Sequence, residues 1–72
     1  MIIVTRLDGS ARFAINPDLI ARVTVEHDTY IHMVDGQVYV VGESLDGVID
    51  QIVDFRARVL RRAQHRATDS EA

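Results

Sequence analysis

The chain is 72 residues long, 47% apolar, carries a net charge of −3 and contains no cysteine. Dividing so short a chain would leave neither half with an adequate core, so one domain is expected over residues 1–66, with 67–72 as a disordered tail. The absence of cysteine excludes disulfide support and removes the best zinc ligands. A domain near this size buries only about 60% of its extended-chain surface, which leaves self-association into a homo-oligomer as the expected extra source of stability. No leader pattern is present and no apolar run approaches the roughly 20 residues needed to span a bilayer, so a cytoplasmic protein is expected.

The charge is unevenly placed: residues 1–54 hold three arginines against nine acids, and residues 55–72 hold five arginines against two. In chain order, Ile2 to Leu7 is a β-rich run ended by Asp8 and Gly9, the chemistry of a tight hairpin turn. Ala11 to Ile15 alternates as a second strand, with Ala11, Phe13 and Ile15 on one face. Asn16, Pro17 and Asp18 read as a corner, because proline fixes φ, lacks a donor and holds the preceding residue extended. Leu19 and Ile20 are expected to re-enter the core, and Ala21 to Glu26 again alternates, up to a turn at His27 and Asp28.

Thr29 to Val34 and Gln37 to Val41 flank Asp35 and Gly36, the strongest hairpin signal in the chain. Neither face of this hairpin is purely polar, which predicts one face against a helix and the other against a partner. Ser44 is the expected helix N-cap. After it Leu45, Val48, Ile49, Ile52, Phe55, Val59 and Ala63 recur at helical spacing and define a wide apolar stripe over a helix of about 44–65. Asp54 and Arg58 stand four apart with the acid first, the favourable orientation for an ion pair. Gly47 interrupts the pattern at a cost of about 1 kcal/mol relative to alanine. The predicted class is α+β: a small antiparallel β-meander of about five short strands followed by one long amphipathic helix.

Catalytic and metal readings find no support. His27, His32 and His65 show no ligand spacing, and Ser10, Ser44 and Ser70 lie at a turn, a cap and a tail without lysine or cysteine nearby. The turn aspartates are turn formers first. No enzyme activity and no cofactor are expected. The arginine-rich end could meet nucleic acid phosphates or anionic lipid heads, but the domain is acidic overall and lacks aromatic interleaving, which argues against nucleic acid.

Taken in order, Val4-Thr5-Arg6-Leu7-Asp8-Gly9, Asn16-Pro17-Asp18-Leu19-Ile20, Asp35-Gly36, Tyr39-Val40-Val41 and Glu43-Ser44 resemble the FlbD/SwrD family of small flagellar and swarming-motility proteins. The resemblance runs from residue 1 to about 62, with Val53 and Arg56 near the middle of the helix. Gly47 and the arginine-rich extension beyond Leu60 depart from it. It implies a non-enzymatic accessory protein that supports motor output through the stator units, at the inner membrane face. The competing reading is a small RNA-binding post-transcriptional regulator of motility genes. Partner contact is expected at Arg6, Asn16, Tyr39, Arg56, Arg58 and Arg62, where strand-face, corner, packing and helix-surface roles compete with it. Asp8, Gly9, Pro17, Asp35, Gly36 and Ser44 are expected to form turns and the cap.

Overall fold

A computed structural model describes residues 1–71, with side chains described through Gln64. Strand β1 (Ile2–Thr5) pairs antiparallel with β2 (Arg12–Ile15). A 3₁₀ turn at Pro17–Leu19 leads into β3 (Ile20–Val25), which pairs with β4 (Thr29–Met33), itself paired with β5 (Val38–Val41). Helix α1 spans Leu45–Glu71. The class is α+β, with five short strands and one long helix as expected. The strands form two sheets rather than one continuous meander, because the chain leaves the first sheet at Asn16. There the Asn16 side chain accepts from the Asp18 amide at 3.0 Å and the Leu19 amide donates back to the Asn16 carbonyl at 3.0 Å. That turn carries β3 away from β2, so the two never pair.

Both Asp-Gly sites turn the chain, with one construction. Gly9 and Gly36 have φ of 77° and 92°, the region in which a Cβ would be strained. In each case the glycine amide closes a four-residue turn, onto the carbonyls of Arg6 and Met33. The aspartate one residue earlier accepts from the amide two residues on, Asp8 from Ser10 and Asp35 from Gln37. Both loops are therefore longer than a two-residue hairpin: a turn followed by a left-handed glycine, which adds a bulge residue.

Antiparallel pairing points every second residue inward. Ile2, Val4 and Ile15 from the first sheet, Ile31 and Val41 from the second, and Val48 from the helix are each at most 4% exposed and form one core. Phe13, Ile20, Val23, Met33, Tyr39 and Ile52 pack around it. Leu19 was expected to join them, but it is 49% exposed, since the 3₁₀ turn buries Pro17 in its place.

The two sheets meet along β1. An isolated bridge joins Arg6 to Val41, the Leu7 amide donates to the Val40 carbonyl, and the Gly42 amide donates to the Thr5 carbonyl. Beyond Gly42 the chain turns toward the helix, and side chains take over the outer edge of β1. The Thr5 amide donates to Glu43 Oε1 at 2.8 Å. The Ile3 amide donates to Gln51 Oε1 at 2.9 Å while Gln51 Nε2 donates to the Ile3 carbonyl at 2.8 Å. One amide side chain thus imitates a neighbouring strand and fixes the helix to the sheet.

Ser44 caps the helix as expected: Gly47 donates its amide to Ser44 Oγ at 3.1 Å and Val48 donates to the Ser44 carbonyl at 3.0 Å. A Cβ on residue 47 would stand 3.2 Å from that Oγ, so glycine leaves the cap undisturbed. The helix runs past the expected end near residue 65, and its backbone covers much of the stretch expected as a tail; Ala72 lies outside the described residues. At about 1.5 Å per residue its length is roughly 40 Å, against strands of 4 to 6 residues. The whole measures 51 × 22 × 19 Å.

Two stability outcomes follow in urea denaturation. Ser44→Ala costs about 1 kcal/mol; Gly47→Ala gains less than the roughly 1 kcal/mol of its helix propensity in the natural chain and more of it in the Ser44→Ala background. Strict additivity would show that the cap and the glycine do not constrain each other. Glu43→Ala, which strips a charge-assisted bond from a half-buried amide, costs about 1.5–3 kcal/mol, and Gln51→Ala, whose partners can turn to water, costs about 1 kcal/mol. Equal and negligible losses would refute the edge-sealing role.

Candidate functional site

The residues expected at a partner contact fall into three places. Arg6 and Tyr39 line an open groove of about 480 Å³ together with Leu7, Asp8, Phe13, Gln37, Val38 and Val40. Tyr39 faces inward beside Ile31, its cross-strand partner, and its ring lies 5.1 Å from that of Phe13 at 49°. This tilted geometry is a packing contact, so Tyr39 floors the groove. Asp8 stands at its rim, and the Ser10 hydroxyl and amide both donate to its carboxylate. These bonds hold the Asp8 pKa below the ordinary 3.8.

Asn16 and Arg56 come together through Asp18. The Arg56 guanidinium stands 3.7 Å from Asp18 Oδ1, with both side chains more than half exposed. At that exposure the pair is worth little in stability. Among the described residues no ion pair joins Asp54 and Arg58, in contrast to their favourable spacing; Asp18 lies across from the neighbouring position and engages Arg56 instead.

Arg58 and Arg62 lie in a third place. With Met1, Phe55, Val59 and Arg61 they line a groove of about 440 Å³. Helical spacing places Phe55, Val59 and Arg62 on the same side of α1 as buried Val48. The core-facing side of the helix therefore continues past the sheet as a surface with an apolar floor and guanidinium walls. Val59 is 50% exposed and Leu60 62% exposed.

The remaining candidates for chemistry are occupied structurally or lie outside the described side chains. His32 Nε2 is 2.8 Å from Thr24 Oγ1 across the β3–β4 pair, His27 is in a turn, and the His65 side chain is not among those described. Among the described residues no group of three or more His, Asp and Glu could hold a metal ion, and no helix is long and apolar enough to cross a membrane.

Against this geometry, the family model described as flagellar and swarming motility proteins, FlbD, matches residues 1–60. The chain belongs to the FlbD family. It is thus a flagellar and swarming motility protein. No curated protein and no solved structure matches it. The residues on which the FlbD resemblance rests serve mostly architecture here: Asp8-Gly9 and Asp35-Gly36 make the turns, Asn16-Pro17-Asp18 the corner, and Glu43-Ser44 seals the β1 edge and caps the helix. Sequence reasoning missed Gln51 as the partner of Ile3, and Asp18 as the partner of Arg56. Neither has a local signal, because the partners lie 48 and 38 positions away along the chain.

The Asp8 site gives a direct check. Its folded pKa is depressed, so its contribution to the turn is present above the unfolded value and is lost as pH falls through the folded one. The Ser10 amide shift in an NMR titration is expected to move with a midpoint below 3.8, and Ser10→Ala should raise that midpoint. A midpoint at or above the ordinary value would show that the bonds do not favour the ionised form.

Proposed function

We propose that this FlbD protein is a non-enzymatic accessory of flagellar motility that acts by protein contact, supporting the output of the stator units from the cytoplasmic face of the inner membrane. The observation that carries this reading is the groove of Met1, Phe55, Arg58, Val59, Arg61 and Arg62, where the helix passes the start of β1. An apolar floor beside three guanidinium groups suits a partner segment that offers one apolar anchor flanked by carboxylates, and arginine and aromatic side chains are the residues that most often dominate binding energy. Among the described side chains the two serines are committed elsewhere: Ser10 to the first turn and Ser44 to the cap. The involvement of the stator units draws on the family resemblance.

The test is functional. Cells lacking the protein are expected to rotate tethered beads with reduced torque, and the natural chain to restore it. Arg58→Glu with Arg62→Glu should leave the circular dichroism spectrum unchanged, because both side chains are exposed, and should fail to restore torque. Full restoration by that variant would remove the groove as the contact, and normal torque in cells lacking the protein would remove the stator reading.

A further inference from the structure

The helix carries a second apolar strip that neither the core nor the groove uses. Ile49, Val53 and Leu60 are 44%, 58% and 62% exposed, and helical spacing puts them in one line, roughly a third of a turn away from buried Val48. Arg56 lies on the same line, but its guanidinium is drawn aside to Asp18, which leaves its methylenes to extend the strip. Beside it runs a row of exposed acids, Asp46, Asp50 and Asp54, followed by exposed Arg61. Among the described residues none of these four takes part in an ion pair within the chain. Acids spaced four apart on one face repel each other, so the row is unfavourable unless something positive lies against it.

We infer that the strip is the seam of an antiparallel helix pair between two copies of this chain, related by a two-fold axis. An isologous interface requires a self-complementary surface, and this one is self-complementary only when antiparallel. With Ile49 set opposite the partner's Leu60, and the reverse, Val53 faces the methylenes of the partner's Arg56 on each side of the seam centre. The same register brings Asp50 beside the partner's Arg61 and Arg61 beside the partner's Asp50. Acids in the first half of each helix then face arginine in the second half of the other. A parallel pair would set the two acid rows on opposite sides of the seam, with no arginine of the partner beside them. The apolar line of the seam lies on a different side of α1 from Phe55, Val59 and Arg62, with Arg61 at the border of both surfaces, and the pairing does not depend on the motor reading.

Sedimentation of the purified full chain over a dilution series tests the pairing. A dimer with a Kd at or below about 10 μM is expected. Asp50→Arg and Arg61→Asp should each weaken it by at least about tenfold, since each sets like charges together at two symmetric places. The double reversal should return the Kd to within about threefold of the natural value. Circular dichroism on each variant separates loss of pairing from loss of fold, and Val53→Glu supplies a second, apolar disruption at the seam centre. A monomer at every concentration would overturn the inference. A dimer that ignores both single reversals, or that the double reversal does not rescue, would overturn it equally.

Discussion

The fold depends on how the outer edge of the first strand is closed. Unpaired backbone groups on a strand are both a stability cost and an invitation to aggregate, and in this chain no single neighbour covers them all. Val40 and Gly42 reach only Leu7 and Thr5. The Glu43 carboxylate and the Gln51 carboxamide complete the row at Thr5 and Ile3. These few bonds unite the first sheet, the second sheet and the helix around a core of six buried apolar side chains. So small a core cannot hold a helix of this length by burial alone, and directional bonds at its first turns set where it lies.

Much of this architecture was legible locally. The two Asp-Gly turns, the Asn-Pro corner and the Ser44 cap are each determined by one or two residues with few conformational options, and each appears where its residues stand. Strand periodicity likewise put Phe13 and Ile15 on one face, and that face meets the core. What could not be read was which strands become neighbours. The β1–β5 bridge joins residues 35 positions apart, and nothing in either segment names the other. The exposure of Leu19 has the same origin: its apolar side chain fits a core pattern, yet the bonds of the 3₁₀ turn decide that Pro17 is buried.

The expected partner residues divide along a similar line. Arg6 and Tyr39 share a groove, Asn16 and Arg56 meet through Asp18, and Arg58 and Arg62 share the surface beyond the sheet. The apolar stripe read from helical spacing is real but serves more than one purpose. One strip of it enters the core at Val48, while Ile49 and Val53 remain outside. Period alone reports the width of such a stripe and cannot say how much of it a five-stranded body is broad enough to cover.

The clamp between Ile3 and Gln51 also has a temporal meaning. A ribosome delivers β1 first, yet the groups that complete its edge come 38 and 48 residues later. Until Glu43 and Gln51 have emerged, the first strand exposes bare amides and carbonyls beside Ile2 and Val4, the side chains destined for the core. The three hairpins can form early from nearby residues, but the nascent chain keeps an open strand edge until its helix begins to form. Folding during synthesis is therefore governed by its last element, and the helix is the event that ends the period of vulnerability to pairing with other chains.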